Sequence, residues 1–290
     1  MSRRTRILEE MGLGPVWQLR GEDDAVAVAV DEIEPQAEVA PPVARRTVAE
    51  PAPARSRPVR PPYDPDAAPA ARTGPRPDLP SISPERTDSI ARMDWPELKS
   101  AVEGCKACGL CKTRKKTVFG VGDETADWMI VGEAPGAEED IQGEPFVGQA
   151  GRLLDEMLFA IDLERGKGVY IANVLKCRPT GNRNPEPMEV AQCSPHLLRQ
   201  LDLVKPKLIL AMGRFAAQTL LNTDASIASL RGKVHTYRGL PLIVTYHPAY
   251  LLRTPLDKAK SWEDLCLATE TMEGLAGGAK DEKDEKGETA

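Results

Sequence analysis

Two hundred and ninety residues suffice for one well-filled domain with extensions, or for two small domains. The composition is uneven: fifteen of the 26 prolines, but only two of the 13 aromatic residues (Trp17 and Tyr63), lie in residues 1–90. The formal net charge is −6, yet the middle of the chain is close to neutral, with 23 basic and 24 acidic groups. Bulk charge therefore neither supports nor excludes a nucleic-acid partner, and any basic surface has to be local. No run of about 18 apolar residues exists, which argues against a membrane span. Arg3, Arg4 and Arg6 have no apolar segment and no small-residue cleavage site behind them, so no secretory signal is expected. The expectation is a cytoplasmic monomer.

Within residues 1–20, Ile7, Leu8, Met11 and Leu13 have roughly helical spacing before Gly14-Pro15 interrupts it. This island reads as a partner-binding peptide, or as a segment that folds back on its own domain. Residues 21–90 mix Pro, Ala, Arg and Glu and cannot bury enough apolar surface to offset chain entropy, which predicts a disordered linker. A domain over residues 91–276 and a disordered charged tail over 277–290 complete the expected organisation.

In the middle region, Trp128–Val131 is a short apolar run ending in GEAPG, residues 132–136. Ala150, Leu153, Leu154, Met157, Leu158 and Ile161 then follow the period of an amphipathic helix. Val169–Val174 predicts a second strand. A helix within Met188–Leu203 follows, expected to be disturbed at Pro195. Lys207–Met212 predicts a third strand, Phe215–Leu221 a helix, Leu240–Tyr246 a fourth strand and Ser261–Leu275 a final helix. This alternation predicts an α/β three-layer sandwich: a central four-stranded parallel sheet flanked by helices on both faces. In such a sheet, ligands bind beyond the carboxyl ends of the strands. GEAPG, Asn173 and His247 all fall on that rim.

Six cysteines in a chain of this kind argue for metal or catalysis rather than for disulfides. Cys105, Cys108 and Cys111 form C-x2-C-x2-C, Cys177 follows the second strand, and Cys193 lies 16 positions further on. Four thiolates drawn from two clusters suit tetrahedral zinc or a [4Fe–4S] cluster, and spacing alone does not separate them. Cys111 is one more than four positions need, and Cys266, between two leucines on a helix, reads as a small buried hydrophobe.

Four stretches now combine. GCKACGLCKTRKKTVFGVGD, MIVGEAPGAEEDIQGEPFVGQAGRLLDEML, IANVLKCRPTGNRNPEP and YHPAYLLR, in this order, resemble the family 4 uracil-DNA glycosylases. The resemblance covers about residues 95–275. It implies hydrolysis of the bond between uracil and deoxyribose in single- and double-stranded DNA, leaving an abasic site, within base excision repair. It also implies a [4Fe–4S] cluster on Cys105, Cys108, Cys177 and Cys193, with Cys111 outside the ligand set.

Residue by residue, the resemblance makes Phe146 the platform on which the flipped base stacks. Asn173 pairs with uracil N3–H and O4; cytosine would mispair both, at about 1–3 kcal/mol for each buried polar group left unpaired. His247 resembles the donor aimed at uracil O2, where negative charge develops on bond cleavage. Gly132, Glu133 and Ala134 line the base site. Some other uracil glycosylases hold the attacking water with an aspartate where this chain has Ala134, so Glu133, Glu139 and Asp140 are the nearby carboxylates, with Glu133 and Glu139 as the catalytic candidates. The alternative for Glu138–Asp140 is a solvated helix start favoured by the helix dipole. Leu251 is the expected wedge into the DNA stack, and Arg253, Arg178 and Arg183 the phosphate contacts. Lys112, Arg114, Lys115 and Lys116 form the densest local basic patch. The competing reading from another class is a non-catalytic iron–sulfur DNA-binding or polymerase-associated module.

Overall fold

The computed structural model describes residues 82–287. The peptide of residues 1–20 and nearly all of the expected linker lie outside the described residues.

A chain that alternates apolar strands with helices has to bury both faces of its sheet. It does so with strands β2 (Trp128–Gly132), β3 (Val169–Asn173), β4 (Leu208–Met212) and β6 (Leu240–Thr245), all mutually parallel. The expected parallel sheet is present, with an antiparallel strand added at each edge: β1 (Val121–Gly122) on β3, and β5 (Val234–Tyr237) on β6. The order is β1-β3-β2-β4-β6-β5, six strands rather than four.

Successive side chains point to opposite faces, and this period of two builds the three layers. Met129, Val131, Tyr170, Ala172, Ile209, Ala211, Leu242 and Val244 face α5 (Pro187–Val204), α6 (Arg214–Leu220) and α7 (Ile227–Leu230). Trp128, Ile130, Val169, Ile171, Leu208, Leu210 and Ile243 face α4 (Gln149–Phe159), α8 (Pro248–Leu251) and α9 (Lys258–Gly287). Helix α5 runs unbroken across Pro195, with the Ser194 hydroxyl donating to Val190 O at 2.7 Å. Between β2 and α4 lies the short α3 (Ala137–Gln142).

Helices reach past both expected domain ends. Helix α1 (Pro84–Arg92) begins within the expected linker, buries Ile90, packs on α5, and sends Arg86 to Gln192 O at 3.0 Å. Helix α2 (Trp95–Glu103) follows, closed at its start by a capping box from Asp94 and Glu97. At the other end, α9 continues through Gly287, because the Lys, Glu and Ala of the expected tail favour helix.

Candidate active site

Four parallel strands end on one rim, and a cavity of about 410 Å³ opens there. Each strand delivers one part of its wall: β2 gives Glu133 and Ala134, β3 gives Asn173, β4 gives Gly213 and Arg214, and β6 gives Tyr246 and His247. Two glycines allow the parts to meet. A side chain on Gly132 would strike Asn173 Oδ1 at 2.3 Å and the Phe146 ring at 2.7 Å, and one on Gly213, whose φ is 88°, would strike His247 Cβ at 2.8 Å. Gly132 thus shapes the site through its absence of a side chain.

Phe146 is 5% exposed, and its ring lies nearly parallel to the His247 imidazole, with centroids 5.4 Å apart at 25°. His247 Nδ1 accepts a hydrogen bond from the Ala249 backbone N–H at 3.1 Å. That places the ring proton on Nε2 and makes Nε2–H a donor. Burial, reinforced by nearby Arg253, holds the histidine pKa down at about 4, so the imidazole is neutral. The ring is therefore neutral and can donate through Nε2.

The carboxylates divide. Burial pushes Glu133 up to about 7, against the lowering effect of Arg214, so this group changes charge near neutral pH at the cavity wall. Glu139 also borders the cavity, but its oxygens accept backbone N–H bonds from Gly136 at 3.0 Å, Val147 at 3.0 Å and Gly148 at 3.3 Å. It fastens α3 to the loop that bears Phe146. Asp140 is buried and accepts the Lys115 N–H at 2.9 Å, while Glu138 is exposed. The acidic run is thus a set of ties for loops more than a solvated helix start.

The DNA-contact residues also separate. Leu251 is 1% exposed and packs in the core with Leu265 and Leu154, whereas its neighbour Leu252 is 43% exposed. Leu251, the expected wedge, therefore sits in the core, and the phase of α8 turns Leu252 outward. Arg253 borders the cavity. Arg183 borders it too, but its guanidinium spans both oxygens of Glu189, at 2.9 and 2.5 Å, and meets Glu186 at 3.2 Å. Arg178 lies outside the wall and donates to Asn182 Oδ1 at 2.7 Å. Asn182, Arg214, Tyr246 and Tyr250 border the cavity as well and were not singled out by the sequence; for Asn182, the glycine-asparagine turn after Cys177 was the available signal.

A second, small cavity is lined by Cys105, Cys108, Cys177 and Cys193, and Cys111 and Cys266 do not reach it. Its sulfurs face N–H donors: Arg114 Nη1 donates to Cys177 Sγ at 3.1 Å and the Lys176 backbone N–H to Cys193 Sγ at 3.2 Å. Arg114 therefore belongs to this cavity, while Lys112, Lys115 and Lys116 are exposed. His196, one helical turn after Cys193, lines the cavity too; its Nε2 lies 3.1 Å from Arg86 Nη2, and its buried Nδ1 has no hydrogen-bond partner. Among the described residues, no three His, Cys, Asp or Glu side chains form a group that could hold a metal ion. His235 lies 2.7 Å from Leu230 O through its Nε2. No described helix is long and apolar enough to cross a membrane.

Fold and site together define an α/β protein with a cavity at the carboxyl ends of its parallel strands and a small sulfur-lined cavity beside it. Residues 119–267 match the uracil DNA glycosylase superfamily, and the chain belongs to it. It is 47% identical over 162 residues to the type-4 uracil-DNA glycosylase of Archaeoglobus fulgidus, covering 53% of this chain and 81% of that protein. It is 42% identical over 183 residues to the type-4 enzyme of Pyrobaculum aerophilum (60% and 93% covered) and 45% over 168 residues to that of Sulfurisphaera tokodaii (55% and 76%).

Proposed function

We propose that this protein is a DNA-repair uracil-DNA glycosylase of the type-4 kind, which hydrolyses the N-glycosidic bond of deoxyuridine and leaves an abasic site. The observation that carries the reading is the neutral His247, oriented by Ala249, beside the Phe146 ring and Asn173 in one cavity. The flipped uracil stacks on Phe146, and Asn173 reads N3–H and O4. As the C1′–N1 bond breaks, its electron pair goes to uracil, and the charge that builds on O2 is met by His247 Nε2–H. Water adds to C1′ and gives its proton to the Glu133 carboxylate, from which it passes by way of solvent to the departed uracil anion. Glu133 is the carboxylate assigned to orient that water, because the oxygens of Glu139 are already engaged by three backbone donors. Asn182 and Arg253 border the path of the DNA, and Leu252 takes the place of Leu251 at the exposed edge.

We further propose that Cys105, Cys108, Cys177 and Cys193, which line the small cavity, would hold a [4Fe–4S] cluster. The unpartnered His196 Nδ1 and the N–H groups directed at Cys177 and Cys193 are what an anionic sulfur-rich group requires. Burial, against the lowering effect of Lys176, pushes the Cys193 thiol up to about 12, so an iron-bound thiolate would resolve what is otherwise a buried neutral thiol. When bound, the cluster supplies iron–sulfur links that tie the segment before the sheet to the end of β3 and to α5.

The test is an oligonucleotide with one deoxyuridine, in single- and double-stranded form, incubated with the protein and treated with alkali. Strand breakage at the uracil, with free uracil detected, is expected. Binding without breakage would overturn the enzyme reading in favour of a non-catalytic DNA-binding module.

A further inference from the structure

Phe146 adopts φ 54°, in the left-handed region that a bulky side chain disfavours. Such a conformation persists only where the surroundings over-determine it. Here they do so from both sides of the chain. Arg165, in the turn that follows α4, donates from Nη1 to Pro145 O at 3.1 Å and from Nη2 to Phe146 O at 2.9 Å. Its Nε is fixed by Asp155 Oδ1 at 2.8 Å. From the opposite side, Glu139 accepts the N–H groups of Val147 and Gly148. Gly151 leaves room for the loop, since a Cβ there would meet Phe146 O at 1.7 Å.

We infer that Arg165 is a positioning residue for base capture: its planar fork locks two successive carbonyls and so holds the Phe146 ring at the angle that receives the uracil face. Arg165 does not border the cavity, and it acts only through Phe146. A lysine cannot replace it, because one ammonium does not span two carbonyls and Asp155 in a fixed plane. The inference rests on the reading that Phe146 stacks the base.

The test compares Arg165→Gln, Arg165→Lys, Asp155→Asn, Phe146→Ala and the double variant Phe146→Ala/Arg165→Gln in the full chain. Three quantities are measured: kcat/KM on deoxyuridine DNA, affinity for DNA bearing a stable abasic analogue, and Tm. A misplaced platform costs catalysis out of proportion to stability, so Arg165→Gln is expected to lower kcat/KM about 10–100-fold. Arg165→Lys should recover little, and Asp155→Asn should fall between Arg165→Gln and the wild type. Affinity for the abasic analogue, which has no base to stack, should stay at the wild-type value. In the Phe146→Ala background, loss of Arg165 should add nothing. Wild-type turnover by Arg165→Gln, equal losses on uracil and abasic DNA, or additive losses in the double variant would each overturn the inference. Wild-type turnover by Phe146→Ala would instead overturn the stacking reading on which it rests.

Discussion

The linings of the two cavities come within four residues of each other after β3, and the cavities are built on opposite plans. Asn173, at the end of β3, borders the base pocket, and Cys177 borders the sulfur cavity. The pocket at the strand ends is the roomier, at about 410 Å³. The sulfur cavity is small, and two of its sulfurs are already approached by N–H groups of the protein. A ligand that enters and leaves needs groups left unsatisfied until it arrives, whereas a permanent group needs a shell that is complete without further movement. Lys176 stands between the two. It is 1% exposed, and its ammonium donates to Asn173 O at 2.9 Å and Gln200 Oε1 at 2.6 Å. Burial draws its pKa down to about 8. The buried ammonium thus fastens the Asn173 backbone to the wall of the sulfur cavity.

The largest expected effect breaks the permanent side of this comparison. Cys193→Ala should yield protein without iron or visible absorbance, and with a lowered Tm, because binding of a structural group is coupled to folding. Cys111→Ala should keep both signals. Iron content unchanged in Cys193→Ala, or lost in Cys111→Ala, would refute the ligand set. The next effect breaks only the transient side. His247→Ala should lower kcat by about 10²–10³, as removal of one oxyanion donor does, while iron content stays intact. Wild-type turnover by that variant would remove His247 from the mechanism.

The two plans were not equally legible in the sequence. The four central strands are buried on both faces and so read as continuous apolar runs. The edge strands do not, because Val121–Gly122 has two residues and Val234–Tyr237 alternates exposed and half-buried positions. Asn173, Phe146 and His247 were readable as a constellation because each lies in a short motif at a strand end or in the loop after one. Arg165 was not, since its contact with Phe146 joins a turn to a loop 19 residues away and leaves no periodic trace. The engagement of Glu139 by backbone amides was equally hidden. His196 had a signal, one turn from Cys193 on a helix, but its relation to the cavity depends on α1 bringing Arg86 to it.

A smaller effect sharpens the base pocket. Glu133 has a raised pKa of about 7, and its charged form is the one assigned to the water. Protonation as pH falls through that value removes the active form, so kcat/KM should fall about tenfold per pH unit below about 7. His247 contributes no break in that range, because its pKa is held at about 4 and the neutral donor persists above it. Glu133→Gln should give a lower, flat profile from pH 5 to 8. A wild-type profile that is already flat there would separate Glu133 from the reaction.

The smallest effect concerns the outer edge of the pocket, where two adjacent leucines have opposite environments. Leu251 is 1% exposed and Leu252 is 43% exposed. Truncating Leu251 leaves a hole in the core and should cost about 2–5 kcal/mol of stability, visible as a lower Tm. Truncating Leu252 removes surface atoms only and should change stability by no more than about 0.5 kcal/mol. If Leu252 fills the space of the flipped nucleotide, its loss matters only where a partner strand holds the uracil in a stack. Unstacking costs a few kcal/mol per step, and the wedge offsets part of it. Leu252→Ala should therefore lower kcat/KM on duplex substrate while single-stranded substrate is cleaved at the wild-type rate. The ratio of the two rates is the measurement, because protein concentration and folding errors cancel in it. A ratio equal to that of the wild type would show that the exposed leucine takes no part in opening the duplex.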